Sequence, residues 1–318
     1  LLIYKMWRDG ILANDYFRSS AKPISIGIVG NSGVGKDLVA INLTNIFGVK
    51  TTTHVSGDNY HRWDRKKSLW KAMTHLNPKA NDIVGLTTDM LKLINGKSVL
   101  QKTYDHSSGL MKKATSIRAN NILITSGLHT LYNVILRDAL DVKVFIGMSD
   151  NLRMWFKSKR DTVVRGHELK KIIENEKRRK GDYDKFIAPQ KIYADIIFNI
   201  SPLKYKGKIP LTLNKTPKQF LDVEVSEGFD DFNLNRMLSG FCSLHIEVTH
   251  KKLGEKKQIR IEGEVHAKDI EMVAKKLCQR SIEFLSDSAI WADGIKGIMQ
   301  LIILMTLEDK LQKRLVDA

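Results

Sequence analysis

The sequence predicts an α/β fold: a mainly parallel sheet with helices on both faces, followed by a strand-rich C-terminal extension. Three observations carry this expectation. Short apolar runs at 24–29, 52–55, 121–125 and 142–146 are separated by stretches of helical pattern, and strands joined through helices pair in parallel. The first run enters GNSGVGKD (30–37), a glycine-rich loop that opens a helix. Beyond Ser201-Pro202 the strands follow one another more closely, as antiparallel strands do.

Taken in order, residues 3–18 have an amphipathic helical pattern interrupted by Gly10, and 19–23 break it. The chain opens on Leu1, so 1–23 is expected to be an N-terminal helical extension at the end of a missing upstream region. Residues 24–200 form the main domain, with a helix over 37–47 and others near 83–94, 129–139 and 150–164. The region 201–318 is expected to be an α+β extension that completes the same fold. It has strands at 211–213, 221–225, 243–248 and 258–265, then two helices. Ile270, Val273, Ala274, Leu277 and Leu285 recur at helical spacing in the first of these.

Composition narrows the class. With 318 residues and 42% apolar content the chain can fill a substantial core. No apolar run reaches the roughly 20 residues that span a bilayer, and the longest, 298–305, contains Gln300 and reads as a buried helix. Cys242 and Cys278 have no metal-binding spacing and lie in apolar stretches, which predicts buried free thiols in a cytoplasmic protein. The net charge of +17 points to polyanions. Residues 157–180 carry ten Lys or Arg against four acids, so much of the excess is local. Aromatic residues do not interleave with it, which disfavours nucleic acid and favours a phosphorylated small molecule.

The glycine loop supplies the chemistry. Backbone N–H groups of Gly30, Asn31, Ser32, Gly33, Val34 and Gly35 are expected to wrap a β-phosphate, with Lys36 reaching the β- and γ-phosphates. The usual loop continues with Ser or Thr, whose hydroxyl binds magnesium. Here Asp37 and then Leu38 follow. The cradle is backbone and survives the change; the metal ligand becomes a carboxylate, which suits magnesium.

Further motifs follow in fixed order: SGDNYHRWDR (56–65), NPKAND (77–82), KTYDHSSG (102–109), ILITSGLH (122–129), KRDTVVRGH (159–167) and DYDKFIAPQKIYADIIF (182–198). With the loop, they resemble the phosphoribulokinase/uridine kinase family of P-loop kinases. The likeness covers about residues 24–200, and continues faintly at GEV (263–265) and GIKGIMQLIILMTLEDKL (294–311). It implies a P-loop NTPase-type sheet, ATP and Mg²⁺ as cofactors, and transfer of a γ-phosphoryl to an alcohol. It also implies that the protein can assemble as a homo-oligomer.

The resemblance assigns roles residue by residue. Asp58 matches the catalytic base, although a lone Asp at such a position more often caps a turn. Lys36 and Arg160 match groups on the transferred phosphoryl. His61, Arg65, Lys157 and Arg165 match the site for a sugar phosphate, and Tyr104 and His106 match substrate-side residues. The alternative for Lys157, Arg160 and Arg165 is a solvated helix face, and their spacing fits either. Arg62, Lys159 and residues 178–180 read as solvated surface. Retention of four groups for a second anion favours a phosphorylated acceptor, ribulose 5-phosphate first, converted to ribulose 1,5-bisphosphate. Uridine or another nucleoside, D-glycerate, or a non-catalytic nucleotide-binding module are the other readings.

Two departures from the family pattern stand out. The strand at 122–127 normally ends in a metal-assisting glutamate, and here the residue is Ser126. Together with Asp37 this reads as an exchange of hydroxyl and carboxylate, so the metal is expected at Asp37, Ser126 and Asp58. The cysteine pair used for thioredoxin control in plant-type members is absent, with Val34 in the loop and no cysteine at 53–57.

Overall fold

The structure, a computed structural model, describes residues 22–65, 67–164, 168–213, 215–249 and 256–317. The helix expected over 3–18 lies outside these. The strands are β1 (Ile24–Gly30), β2 (Thr52–Ser56), β3 (Val99–Gln101), β4 (Tyr104–Asp105), β5 (Leu110–Met111), β6 (Thr115–Ile117), β7 (Ile122–Gly127), β8 (Val142–Met148), β9 (Ile196–Pro202), β10 (Gln219–Val225), β11 (His245–Thr249) and β12 (Lys257–Glu262). The helices are α1 (Lys36–Phe47), α2 (Ser68–Ala72), α3 (Ile83–Ile94), α4 (Val134–Ala139), α5 (Asp150–Lys159), α6 (Leu169–Asp182), α7 (Asp231–Cys242), α8 (Ala267–Leu277) and α9 (Ile295–Asp317).

Eight strands form one sheet in the order β11-β12-β10-β9-β8-β1-β7-β2. From β9 to β2 all neighbours are parallel, and β10, β12 and β11 add antiparallel strands to the same sheet. The expected α/β architecture is therefore present, and the C-terminal strands continue the sheet that carries the loop. Alternation along β1 divides the core. Ile24, Ile26 and Ile28 pack with Leu43 and Phe47 of α1 and with Ile302 and Ile303 of α9. Val29, Leu123 and Phe145 pack on the opposite face with Leu86, Met90 and Leu93 of α3. A Cβ at Gly27 would stand 2.4 Å from Leu140 Cδ1, so that side chain packs over the bare backbone there.

The apolar run in α9 is buried. Gln300 is tolerated inside it because its amide donates to the Asn42 carbonyl at 2.7 Å and accepts from Ala292 N at 2.9 Å. Among the described residues no helix is long and apolar enough to cross a membrane.

Several expectations need correction. Residues 211–213 are a turn, not a strand. Leu213 N donates to the Pro210 carbonyl, and the Lys159 ammonium takes the Leu213 carbonyl. The helix expected from 129 starts only at Val134, where Asn133 caps the free N–H groups of Ile135 and Leu136. Before it, Leu131 N is drawn off to the Gln190 side chain at 3.0 Å. The helix at 150 ends as α5 at Lys159 and passes into a wider π-type turn, Arg160–Val164. Leu285 lies beyond α8. Both cysteines are free, but Cys242 is only half-buried, whereas Cys278 is fully buried.

Candidate functional site

The site forms at the C-terminal ends of the parallel strands, where open α/β sheets place their ligands. β1 ends at Gly30, whose absent side chain is a steric necessity, since a Cβ would lie 2.3 Å from the Ile146 carbonyl oxygen of β8. The loop then turns through Gly33 and Gly35, at φ 87° and 90°, a conformation that glycine adopts without strain. It delivers the chain to the N-terminus of α1, so backbone N–H groups and the helix dipole converge on one point. Lys36 folds back over the loop and donates to the Asn31 carbonyl at 2.9 Å. Burial pulls its pKa below the ordinary lysine value.

Asp37 stands in the first turn of α1, and its Oδ1 accepts from Ser126 Oγ at 2.8 Å. The two departures from the family pattern are thus direct neighbours. Parallel pairing explains how: Ile28 of β1 and Ser56 of β2 both register with Ser126. Ser126 is fully buried, and its oxygen also lies 2.9 Å from His54 Nε2.

Asp58 occupies the 3₁₀ turn Gly57–Tyr60 that follows β2. Its role as the turn's cap is ruled out, because Ser56 Oγ does the capping by accepting from Asp58 N at 3.3 Å. The Asp58 carboxylate instead faces two imidazoles, with Oδ2 3.3 Å from His106 Nε2 and Oδ1 3.6 Å from His61 Nε2. The motif at 77–82 orients His61. Asn81 directs its amide N–H groups to the carbonyls of His75 and Asn77, which leaves its oxygen to accept from His61 Nδ1 at 2.8 Å. The β4–β5 ribbon is held in place by Arg65, whose guanidinium donates to the His106 carbonyl at 2.9 Å. Tyr104 is buried edge-on to His61, at 5.2 Å between ring centres.

A cavity of about 420 Å³ brings these groups together, lined by Lys36, Asp37, Asp58, His61 and Arg65 and also by Lys157, Arg160 and Arg179. Across the loop a second cavity, of about 470 Å³, has a more apolar wall that includes Leu38, Val39, Phe156 and Met299. The glycine loop therefore separates a polar compartment from an apolar one. Arg160 forms an ion pair with Asp161 at 2.9 Å. Arg165 lies outside the described residues.

Sequence reasoning misses part of the cationic wall. Arg179 reads from sequence as solvated surface, yet it is half-buried and lines the cavity. Glu176 is the hub. It contacts Arg153 at 2.6 Å, Lys157 at 2.8 Å and Arg179 at 3.6 Å. Burial works against its ionisation, but Lys157 and Arg153 together hold its pKa below the ordinary value. Burial, reinforced by Arg179, lowers Lys157 to about 8. Arg179 also donates to His75 Nε2 at 3.2 Å, and burial with this cation keeps His75 neutral, far below its usual pKa. Trp70 and His75, also without a role in the sequence reading, complete an aromatic wall with ring centres 4.1 Å apart. The signal available for Arg179 is its i, i+3 spacing from Glu176 within the basic run.

Among the described residues no cluster of three His, Cys, Asp or Glu forms a ready metal cage. Magnesium at a nucleotide needs none, since it takes one or two carboxylates and completes its shell with phosphates and water. Asp37 and Asp58, both lining the polar cavity beside Lys36, are the hard-oxygen donors that fit it.

A phosphate-binding loop at the end of the central strand, facing a carboxylate and a cationic wall, defines a P-loop protein of the α/β class. The chain belongs to the phosphoribulokinase/uridine kinase family, whose model matches residues 25–205. It is 32% identical over 181 residues to a phosphoribulokinase of Synechocystis, covering 57% of this chain and 54% of that one. To a uridine kinase of Lactobacillus helveticus it is 30% identical over 181 residues, covering 55% and 86%. The chain thus spans about half the length of the phosphoribulokinase it matches. The solved phosphoribulokinase from Rhodobacter spheroides superimposes with a TM-score of 0.59 at 15% identity, over 90% of this chain and 99% of that one, a likeness of fold.

Proposed function

We propose that this protein is an ATP-dependent kinase that transfers the γ-phosphoryl of Mg-ATP to a hydroxyl of a phosphorylated sugar, ribulose 5-phosphate first. The observation that carries this reading is a single cavity that Lys36 and Asp58 share with three further cations, Lys157, Arg65 and Arg179. A kinase for an uncharged acceptor has no use for a second anion site. A sugar phosphate needs one, and ammonium and guanidinium groups hold such a dianion well.

The residues divide the work. The loop amides and Lys36 hold the nucleotide phosphates, and the apolar cavity takes the rest of the nucleotide. Asp58 accepts the proton of the attacking hydroxyl. Lys157, Arg65 and Arg179 fix the acceptor's phosphate, and Arg160 approaches the transferred group. Asp37 and Asp58 would hold magnesium through their carboxylates, with Ser126 joining that site through its hydrogen bond to Asp37, and the ion would supply neutralisation of phosphate charge. Positioning and electrostatics supply the rate, because phosphoryl transfer asks little covalent chemistry of the protein.

A second reading, nucleoside kinase, is favoured by the uridine kinase relative, which this chain matches over most of its length. A coupled ADP-release assay with Mg-ATP and ribulose 5-phosphate, uridine or D-glycerate separates the readings. Turnover with ribulose 5-phosphate is expected. Turnover with uridine alone overturns the sugar-phosphate reading, and ATP binding without turnover on any acceptor indicates a nucleotide-binding module.

A further inference from the structure

The hydrogen bonds around Asp37 extend one residue further than the kinase motifs do. Asp37 and Ser126 depart from the family pattern, and His54 belongs to none of the matched motifs. Yet His54 Nε2, Ser126 Oγ and Asp37 Oδ1 form a continuous chain with steps of 2.9 and 2.8 Å. Sheet register produces it. His54 pairs with Ile124 and Ser56 with Ser126 on adjacent parallel strands, and the alternation of side chains sends 54, 56, 124 and 126 to one face. That face carries α1, against which Ile124 packs.

Chemistry fixes the direction of each bond. An ionised carboxylate can only accept, so the single Ser126 proton points to Asp37. The serine oxygen then has no proton for His54, and the imidazole must donate from Nε2. The serine lies between the other two residues, and its proton goes to the carboxylate, so this arrangement is not that of a hydrolytic triad. Only one orientation of the hydroxyl satisfies both contacts. A serine hydroxyl with one partner can rotate; this one is held from both sides.

We propose that His54 is a positioning residue of the nucleotide–metal site: by donating to Ser126 it locks the hydroxyl onto Asp37 and so holds that carboxylate in its metal-binding orientation. The proposal rests on the Mg-ATP reading above. It accounts for the tolerance of Asp37 where the usual loop has a short hydroxyl side chain. A carboxylate there has more rotational freedom, and the Ser126–His54 pair removes it. His54 lies on the sheet's β2 edge and remains solvent-exposed, so its replacement opens no core cavity.

The test measures ATP affinity by calorimetry, with Mg²⁺ and with EDTA, in the wild type, His54→Gln, His54→Leu, Ser126→Ala and the double variant His54→Leu/Ser126→Ala. Outer-shell changes of this kind cost roughly tenfold or more in metal affinity, so the gain that Mg²⁺ confers is expected to shrink by about that factor in His54→Leu and in Ser126→Ala. His54→Gln, which keeps an Nε2 donor, is expected to stay within about twofold of wild type. In the double variant the losses are expected not to add. Affinity in EDTA stays unchanged throughout. A full Mg²⁺ gain in His54→Leu, or additive losses in the double variant, overturns the role of His54. A wild type whose ATP affinity ignores Mg²⁺ overturns the metal-site reading itself, and with it this proposal.

Discussion

At the scale of single residues, the polar cavity depends on charges held in unusual surroundings, and Lys157 is the most informative. Burial and the neighbouring Arg179 lower its pKa to about 8. A lysine binds a phosphate only while protonated. Acceptor kcat/KM is therefore expected to hold below pH 8 and to fall as pH rises through about 8. Lys157→Arg, whose guanidinium stays charged, should remove that alkaline limb even if its plateau is lower. Asp58 yields a different signature. In Asp58→Asn the carboxylate that takes the hydroxyl proton is gone while the loop is intact, so turnover should drop by about 10²–10⁴. Nucleotide affinity measured by calorimetry in EDTA, where the metal ligand role of Asp58 drops out, should change little. Legibility also differs by residue. Lys36 and Asp58 stand in contiguous motifs whose spacing reports their geometry. His54 is a lone histidine on a strand, and its partners, Ser126 and Asp37, are remote in sequence.

At the scale of elements, the β1–loop–α1 unit was legible because strand, glycines and lysine are consecutive, and the local backbone dictates their arrangement. α6 was not. A basic run on an amphipathic helix looks the same whether it faces water or a cavity, and what decides is Glu176, which gathers Arg153 and Lys157 of α5 together with Arg179 of its own helix. The turn at 211–213 misled for a related reason. Its leucines have strand character, but Pro210 offers no N–H, and Lys159 from α5 claims a carbonyl that a ladder needs. Glu176→Gln tests the hub. It keeps the shape but removes the carboxylate that Lys157 and Arg179 share, Arg153 keeping only Asp150 at 3.3 Å, and loss of one partner from a buried ion pair costs about 3–5 kcal/mol. Chemical denaturation should register the loss. Because Glu176 raises the Lys157 pKa, the alkaline limb of acceptor kcat/KM should also move to lower pH, which a purely structural defect does not cause.

At the scale of the whole molecule, one sheet unites the loop, the acceptor wall and the C-terminal strands, so events at the site bear on global stability. The buried histidines show how. His129 follows β7 and faces His75, whose carbonyl it contacts at 3.2 Å. Burial lowers its pKa from 6.5 to about 4, and His75 is displaced in the same direction. Both rings are neutral in the folded state, whereas in the unfolded chain they take up protons near pH 6.5. The unfolded state thus binds more protons between about 4 and 6.5, and stability must fall as pH drops through that window. Above pH 6.5 the full stability is present. By pH 4, protonation of the unfolded chain at His129 alone removes roughly 3 kcal/mol of stability. Urea unfolding midpoints at pH 7, 5.5 and 4.5 should decline in step. In His129→Gln, which cannot take up a proton, the decline should be shallower than in wild type. An equal slope in the two proteins would place the acid sensitivity elsewhere, in His75 and the carboxylates paired around the cavity.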